Sequence, residues 1–133
     1  PSLLPMDPFE QSLSRITLAP YIVKATALIG VRRLDGSNMF RHQINTLGIL
    51  LDYKVTDPVL LKASVIHDLF EDAPTMPGAT EQDIARIDAD GPAVYALVLE
   101  VDGREEMIYK HAIASVSPTV IARPAVPAPV PAP

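Results

Sequence analysis

The stretch Leu60–Asp72, LLKASVIHDLFED, opens as an apolar run and then brings together one imidazole and three carboxylates: His67, Asp68, Glu71 and Asp72. On a helix, His67 would stand one turn before Glu71 and Asp68 one turn before Asp72, so the four side chains would project as two stacked pairs. Imidazole and carboxylate together are ligands for hard or borderline divalent cations, whose charge dominates the local electrostatics once bound. A cation would also offset a local penalty. Acids near the end of a helix oppose its macrodipole by a few tenths to about 1 kcal/mol each. Without a cation, the same residues read as a satisfied core histidine beside a solvated, acidic helix end.

The chain around this cluster narrows the chemistry. Its 133 residues fit one domain with a real hydrophobic core. The composition is 48% hydrophobic but only 5% aromatic, which predicts an aliphatic, mostly helical interior. There is no cysteine, so a disulfide framework and a thiolate metal site are excluded, and any metal must rest on His, Asp or Glu. A formal net charge of −5 argues against nucleic acid as a partner, because such contacts need clustered positive charge. It leaves room for a small anion met by a few local arginines. The N-terminal PSLLPMDPFEQ lacks the pattern of a secretory signal. The best apolar stretch, Leu18–Val31, is broken by Pro20 and Lys24 and is shorter than the roughly 20 residues a membrane span needs. These features predict a cytoplasmic chain with no membrane partner.

The elements that must position the cluster are legible as helices. Residues 1–12 carry three prolines and little periodicity, and read as an irregular leader. A first helix is expected from Ser14 or Thr17, with Ile22, Ala25, Leu28 and Ile29 supplying its apolar face up to Val31. Arg32–Asn38 reads as a turn through its Asp-Gly and Ser-Asn pairs. A second helix over Arg41–Leu51 would bury Ile44, Leu47, Leu50 and Leu51, with His42 at its opening. Asp57-Pro58, an acid cap followed by proline, starts the central helix that leads into the cluster. The stretch from Ala73 to Ala79 must then be a loop. Thr80 and Asp83 resemble a capping box opening a short helix to about Ile87. Gly91-Pro92 precedes an apolar helix over Ala93–Val101, Asp102-Gly103 ends it, and Glu105–Ser115 forms a more polar last helix. His111 there reads as an ordinary surface or boundary residue. Five of the ten residues Pro124–Pro133 are proline and the others are Ala or Val, a composition expected to give a disordered, extended tail.

Taken together, Arg33 and Gly36 ahead of His42, followed by His67-Asp68-Leu-Phe-Glu71-Asp72, resemble the HD-domain superfamily of metal-dependent phosphohydrolases. The closer likeness is to the hydrolase domain of the RelA/SpoT family and its small stand-alone alarmone hydrolases. It spans about Tyr21 to Val101, including TEQDIARIDADGPAVYALVLEV after the acidic motif. The resemblance implies an all-α fold, a compact helical HD-domain bundle over residues 13–117, with the proline-rich tail over 118–133. It implies that His42, His67 and Asp68 are metal ligands, with Mn2+ as the cofactor. Glu71 and Asp72 would be catalytic, orienting and activating the attacking water, and Arg33 would sit by the nucleotide. The implied reaction is hydrolysis of the 3′-diphosphate of guanosine tetra- or pentaphosphate, giving GDP or GTP and pyrophosphate.

Two departures from the family pattern stand out. Gln43 follows His42 where the family usually has proline. The family also draws a further metal ligand from an aspartate in a late helix, and no aspartate occurs here after Asp102. That absence makes two other functions worth carrying: a catalytically degenerate HD-fold module that binds nucleotide or protein, and an HD phosphohydrolase for another nucleotide. Arg32, Arg33 and Arg41 would ordinarily be a solvated rim, but in an acidic chain they form the positive cluster nearest His42.

Overall fold

The computed structural model describes residues 4–70 and 80–116. Among the described residues there are seven α-helices and no strand: α1 (Pro8–Ser14), α2 (Ala19–Ala25), α3 (Met39–Asp52), α4 (Pro58–Ile66), α5 (Glu81–Ala85), α6 (Gly91–Val101) and α7 (Glu105–Val116). The chain is an all-α bundle, as its composition predicts. No helix among the described residues is long and apolar enough to cross a membrane.

The bundle is built around α4. Asp57 accepts hydrogen bonds from the backbone of Val59 and Leu60, Pro58 occupies the first turn, and every residue from Leu60 to Ile66 is buried. A helix that is apolar on all sides has to be enclosed. Helices α2, α3, α6 and α7 all pack against it, and α5 is held at the outer edge through α6. Helix α6 approaches α5 so closely that a Cβ at Gly91 would collide with the carbonyl groups of Ile84 and Ala85.

One charge lies inside this enclosure. Lys62 on α4 is 4% exposed, and its Nζ reaches Asp88 Oδ2 at 2.9 Å and Asp90 Oδ2 at 2.8 Å. The fully buried Tyr21 of α2 donates its hydroxyl to Asp88 Oδ1 at 2.6 Å. The α5–α6 connection is thereby tied to both α4 and α2. A buried ammonium is tolerable only when it is paired and hydrogen-bonded in this way.

Several local expectations change. Residues 8–12 are helical rather than irregular, because Asp7 and Glu10 form a reciprocal capping box. None of α1 is buried, and it is held to the body partly by Lys54 over the Phe9 ring, 4.8 Å from its centroid. Helix α2 stops at Ala25 and tightens into a 3-10 turn over Thr26–Leu28, where the Thr26 hydroxyl donates to the Val23 carbonyl; Ile29 is exposed as a result. Helix α3 buries Gln43, Thr46, Leu47 and Leu50, so its inner face is rotated from the apolar one expected, and Ile44 and Leu51 are only half-buried. The polar pair Gln43 and Thr46 is drawn inward by partners described below. Gly91 and Pro92 form the first turn of α6 instead of preceding it. The expected loop over 73–79 and the proline-rich tail over 118–133 lie outside the described residues.

The Asp88 network makes a pH-dependent contribution to stability. Burial pushes the Asp88 carboxyl up, but the hydrogen bonds from Tyr21 and Lys62 outweigh it and hold the group below the usual aspartate range. A depressed folded value stabilises the fold above the unfolded pKa and is lost as pH falls through the folded one. Asp88→Asn should therefore be less stable than wild type at pH 7 by about 1–3 kcal/mol. In urea titrations that gap should begin to narrow below about pH 4. A gap that stays constant from pH 7 to pH 2 would show that the Asp88 charge is irrelevant.

Candidate metal centre

Three segments distant in sequence bring their donors to one place. The first is the opening turn of α3. The Arg32–Asn38 turn is closed by an isolated antiparallel bridge between its end residues, with Gly36 in the left-handed region at φ 86° and Asp35 accepting from both the backbone and the hydroxyl of Ser37. Asn38 caps α3 by accepting from the Arg41 backbone, and its side-chain amide donates to the Ile29 carbonyl. This places His42 one turn inside the helix, its N–H bonded to the Asn38 carbonyl at 3.1 Å.

The second segment follows α4. The helix ends at Ile66, earlier than a helix continuing through the acidic motif would, and His67 is its C-cap. His67 Nδ1 lies 2.8 Å from the Ser64 carbonyl oxygen. Donation to that carbonyl puts the proton on Nδ1 and leaves the lone pair on Nε2, the tautomer that ligates metals through Nε2. Nε2 is buried and makes no hydrogen bond among the described residues. Asp68 Oδ2 lies 3.2 Å from it, out of alignment for a directed bond, and 3.5 Å from His42 Nε2.

Glu105, the first residue of α7, comes from the third. Its Oε2 lies 3.1 Å from His42 Nε2 and accepts a hydrogen bond from the buried Thr46 hydroxyl at 2.7 Å. His42, His67 and Glu105 each offer a ligand atom, and these atoms all lie within 4.8 Å of one another. The two imidazoles meet edge to face with centroids 5.4 Å apart. The donor set and the orphaned Nε2 fit a divalent cation: two imidazole nitrogens and the Glu105 carboxylate around one point, with Asp68 beside both imidazoles, at a helix C-terminus that favours positive charge.

The protonation preferences of the two histidines diverge. Burial pushes His42 below its usual value; the neighbouring charges of Arg33 and His67 reinforce this, and Glu105 and Asp68 oppose it without prevailing. Burial would lower His67 too, but the adjacent Asp68 carboxylate and the Ser64 carbonyl outweigh it, so His67 is raised. His67 therefore sits where positive charge is stabilised, and a cation at Nε2 answers the same field as a proton.

Of the residues singled out in the sequence, His42, His67 and Asp68 are brought together. Arg33 lies on the same side, in an open cavity of about 370 Å³ lined by Arg33, Ser37, Asn38, Arg41, His42 and Asn45. Glu71 and Asp72 lie outside the described residues. His111 is at the boundary, paired with Glu100 at 3.1 Å and remote from the cluster in role. Glu105 was not foreseen. The sequence signal for it is a carboxylate opening the last helix directly after the Asp102-Gly103 turn, which a search restricted to aspartate passes over. Gln43 was likewise read only as a departure from proline.

No family model matches the chain, and no curated protein matches it.

If this cluster holds a cation, Mn2+ at 100 times its dissociation constant should stabilise the fold by about 2.7 kcal/mol, seen as a rise in Tm that chelator reverses. Glu105→Ala should weaken Mn2+ binding by at least about tenfold, or ~1.4 kcal/mol. Unchanged affinity in that variant would remove Glu105 from the ligand set.

Proposed function

We propose that this chain is a metal-dependent phosphohydrolase of the HD type, using manganese to remove the 3′-diphosphate of guanosine tetra- or pentaphosphate and working in the cytoplasm. The observation that carries this reading is the convergence of His42, His67, Asp68 and Glu105 next to an arginine-lined cavity. Resemblance in the ordered motifs supplies the substrate. In the reaction, water adds to the phosphorus attached to the 3′-oxygen, the bond to that oxygen breaks, pyrophosphate leaves and the 3′-oxygen takes up a proton.

Within that reading each group has a definite task. His42, His67, Asp68 and Glu105 hold the cation. Bound there, a divalent cation would lower the pKa of a water molecule and stabilise charge on the phosphate oxygens. Arg33 and Arg41, facing the same cavity, meet the anionic substrate through charge-assisted hydrogen bonds. Glu71 and Asp72 retain the water-orienting and proton-accepting roles.

The binding-module alternative drew its strength from the missing late aspartate. Glu105 weakens that argument, since it delivers a carboxylate to the cluster from the last described helix. The enzyme reading is therefore preferred over a degenerate module, and guanosine tetraphosphate over another nucleotide on the strength of the Glu71-Asp72 pair.

Purified chain should release pyrophosphate from guanosine tetraphosphate with Mn2+, lose this activity with chelator, and lose it in His67→Ala. Release that survives either treatment would sink the proposal, and a folded chain that binds the nucleotide without turnover would favour the module. Arg33→Ala should raise KM about tenfold, roughly 1.4 kcal/mol, with Mn2+ affinity unchanged. An unaltered KM would return Arg33 to the solvated rim.

A further inference from the structure

The residue that departs most clearly from the expected pattern sits deepest in the site. Gln43 is fully buried, although it is an amide on the inner face of α3. Its Nε2 donates to Asp68 Oδ2 at 3.1 Å, and its Oε1 accepts from the Asp68 backbone N–H at 3.2 Å. The second amide hydrogen has Met39 Sδ at 4.0 Å. The two bonds to Asp68 close a ring that permits one orientation of the amide, since a flip would set donor against donor and oxygen against oxygen. One side chain thus holds both the backbone and the carboxylate of the residue that follows His67.

The oxygen it holds is the one that matters. Asp68 Oδ2 is also the atom 3.2 Å from His67 Nε2 and 3.5 Å from His42 Nε2. Proline at position 43 could not make either bond. An apolar residue would fill the space and remove both bonds to Asp68.

We propose that Gln43 is a positioning residue of the metal centre: its buried amide holds Asp68 with Oδ2 turned toward both imidazoles, so that Asp68 enters the ligand set already oriented. The proposal rests on the metal-centre reading above. Partners of this kind, one step behind the ligands, commonly change metal affinity by about 10- to 100-fold when removed.

The test uses Mn2+ alone as the probe, measured calorimetrically on the full chain, with wild type, Gln43→Leu, Gln43→Glu, Asp68→Asn and the double variant Gln43→Leu/Asp68→Asn. Gln43→Glu is nearly isosteric, keeps the acceptor for the Asp68 N–H and replaces the donor, so it separates carboxylate orientation from packing if Gln43→Leu does not fold. Both single Gln43 variants should bind Mn2+ about 10- to 100-fold more weakly while keeping the helical circular dichroism of wild type. The visible spectrum of bound Co2+ should shift in each, a signature that loss of packing elsewhere would not produce. Because Gln43 acts through Asp68, the double variant should bind no more weakly than Asp68→Asn alone. Wild-type affinity in Gln43→Glu, or losses at the two positions that simply add, would overturn the positioning role while leaving the metal centre standing. Absence of Mn2+ binding by wild type would overturn both.

Discussion

The fold depends on one nine-residue helix that has no solvent face. Helix α4 is buried from Leu60 to Ile66, so four other helices must surround it, and its single charge must find partners inside the protein. Lys62 meets that demand through Asp88 and Asp90, with Tyr21 completing the network. Breaking one member of such a network leaves an uncompensated buried charge, which is far more costly than the network's net contribution when intact. The consequence is positional precision. Because α4 cannot shift without dislodging Lys62, the residues that emerge from its C-terminal end, His67 and Asp68, are presented at a fixed depth and angle.

That fixed end is where opposing requirements meet. A core helix would ordinarily finish on apolar or capping residues, yet this one delivers an imidazole whose Nε2 has no hydrogen-bond partner among the described residues. The field around it is negative, from Asp68 and Glu105, and burial pushes the neighbouring His42 below its usual value. Polar side chains are spent on supporting this arrangement: Thr46 on Glu105 and Gln43 on Asp68. Each sits at a buried position that an aliphatic side chain could have filled. Such local conflict with core packing is characteristic of a functional site.

The helical elements were largely legible because their signals are local. Asp57-Pro58, the Thr80 and Asp83 box, and the Asp102-Gly103 stop each act through bonds within a few residues, and each is realised. The failures have two causes. Helix α1 depends on a capping box hidden in a proline-rich stretch. The inner face of α3 was misjudged because hydrophobicity alone points to Ile44 and Leu51, whereas Gln43 and Thr46 are drawn in by Asp68 and Glu105 from remote parts of the chain. The site divides along the same line. His42, His67 and Asp68 could be named from the resemblance in the motifs, but Glu105 and Gln43 acquire their significance only when α3, α4 and α7 are assembled.

The position of Glu105 has a consequence for how the chain holds itself together. Helix α7 is joined to α6 by a tight turn with Asp102 and Gly103 both at positive φ, and its first residue reaches across to Thr46 and His42 on α3. An ion shared by His42, His67 and Glu105 would join three remote points of the chain and close long loops between them. In a protein without cysteine, it would act as a removable cross-link, restricting the unfolded chain much as a covalent bridge does. Assembly of the ligand cluster and docking of the last helix would then be one cooperative event. Slow amide exchange along α7 would report the presence of the ion.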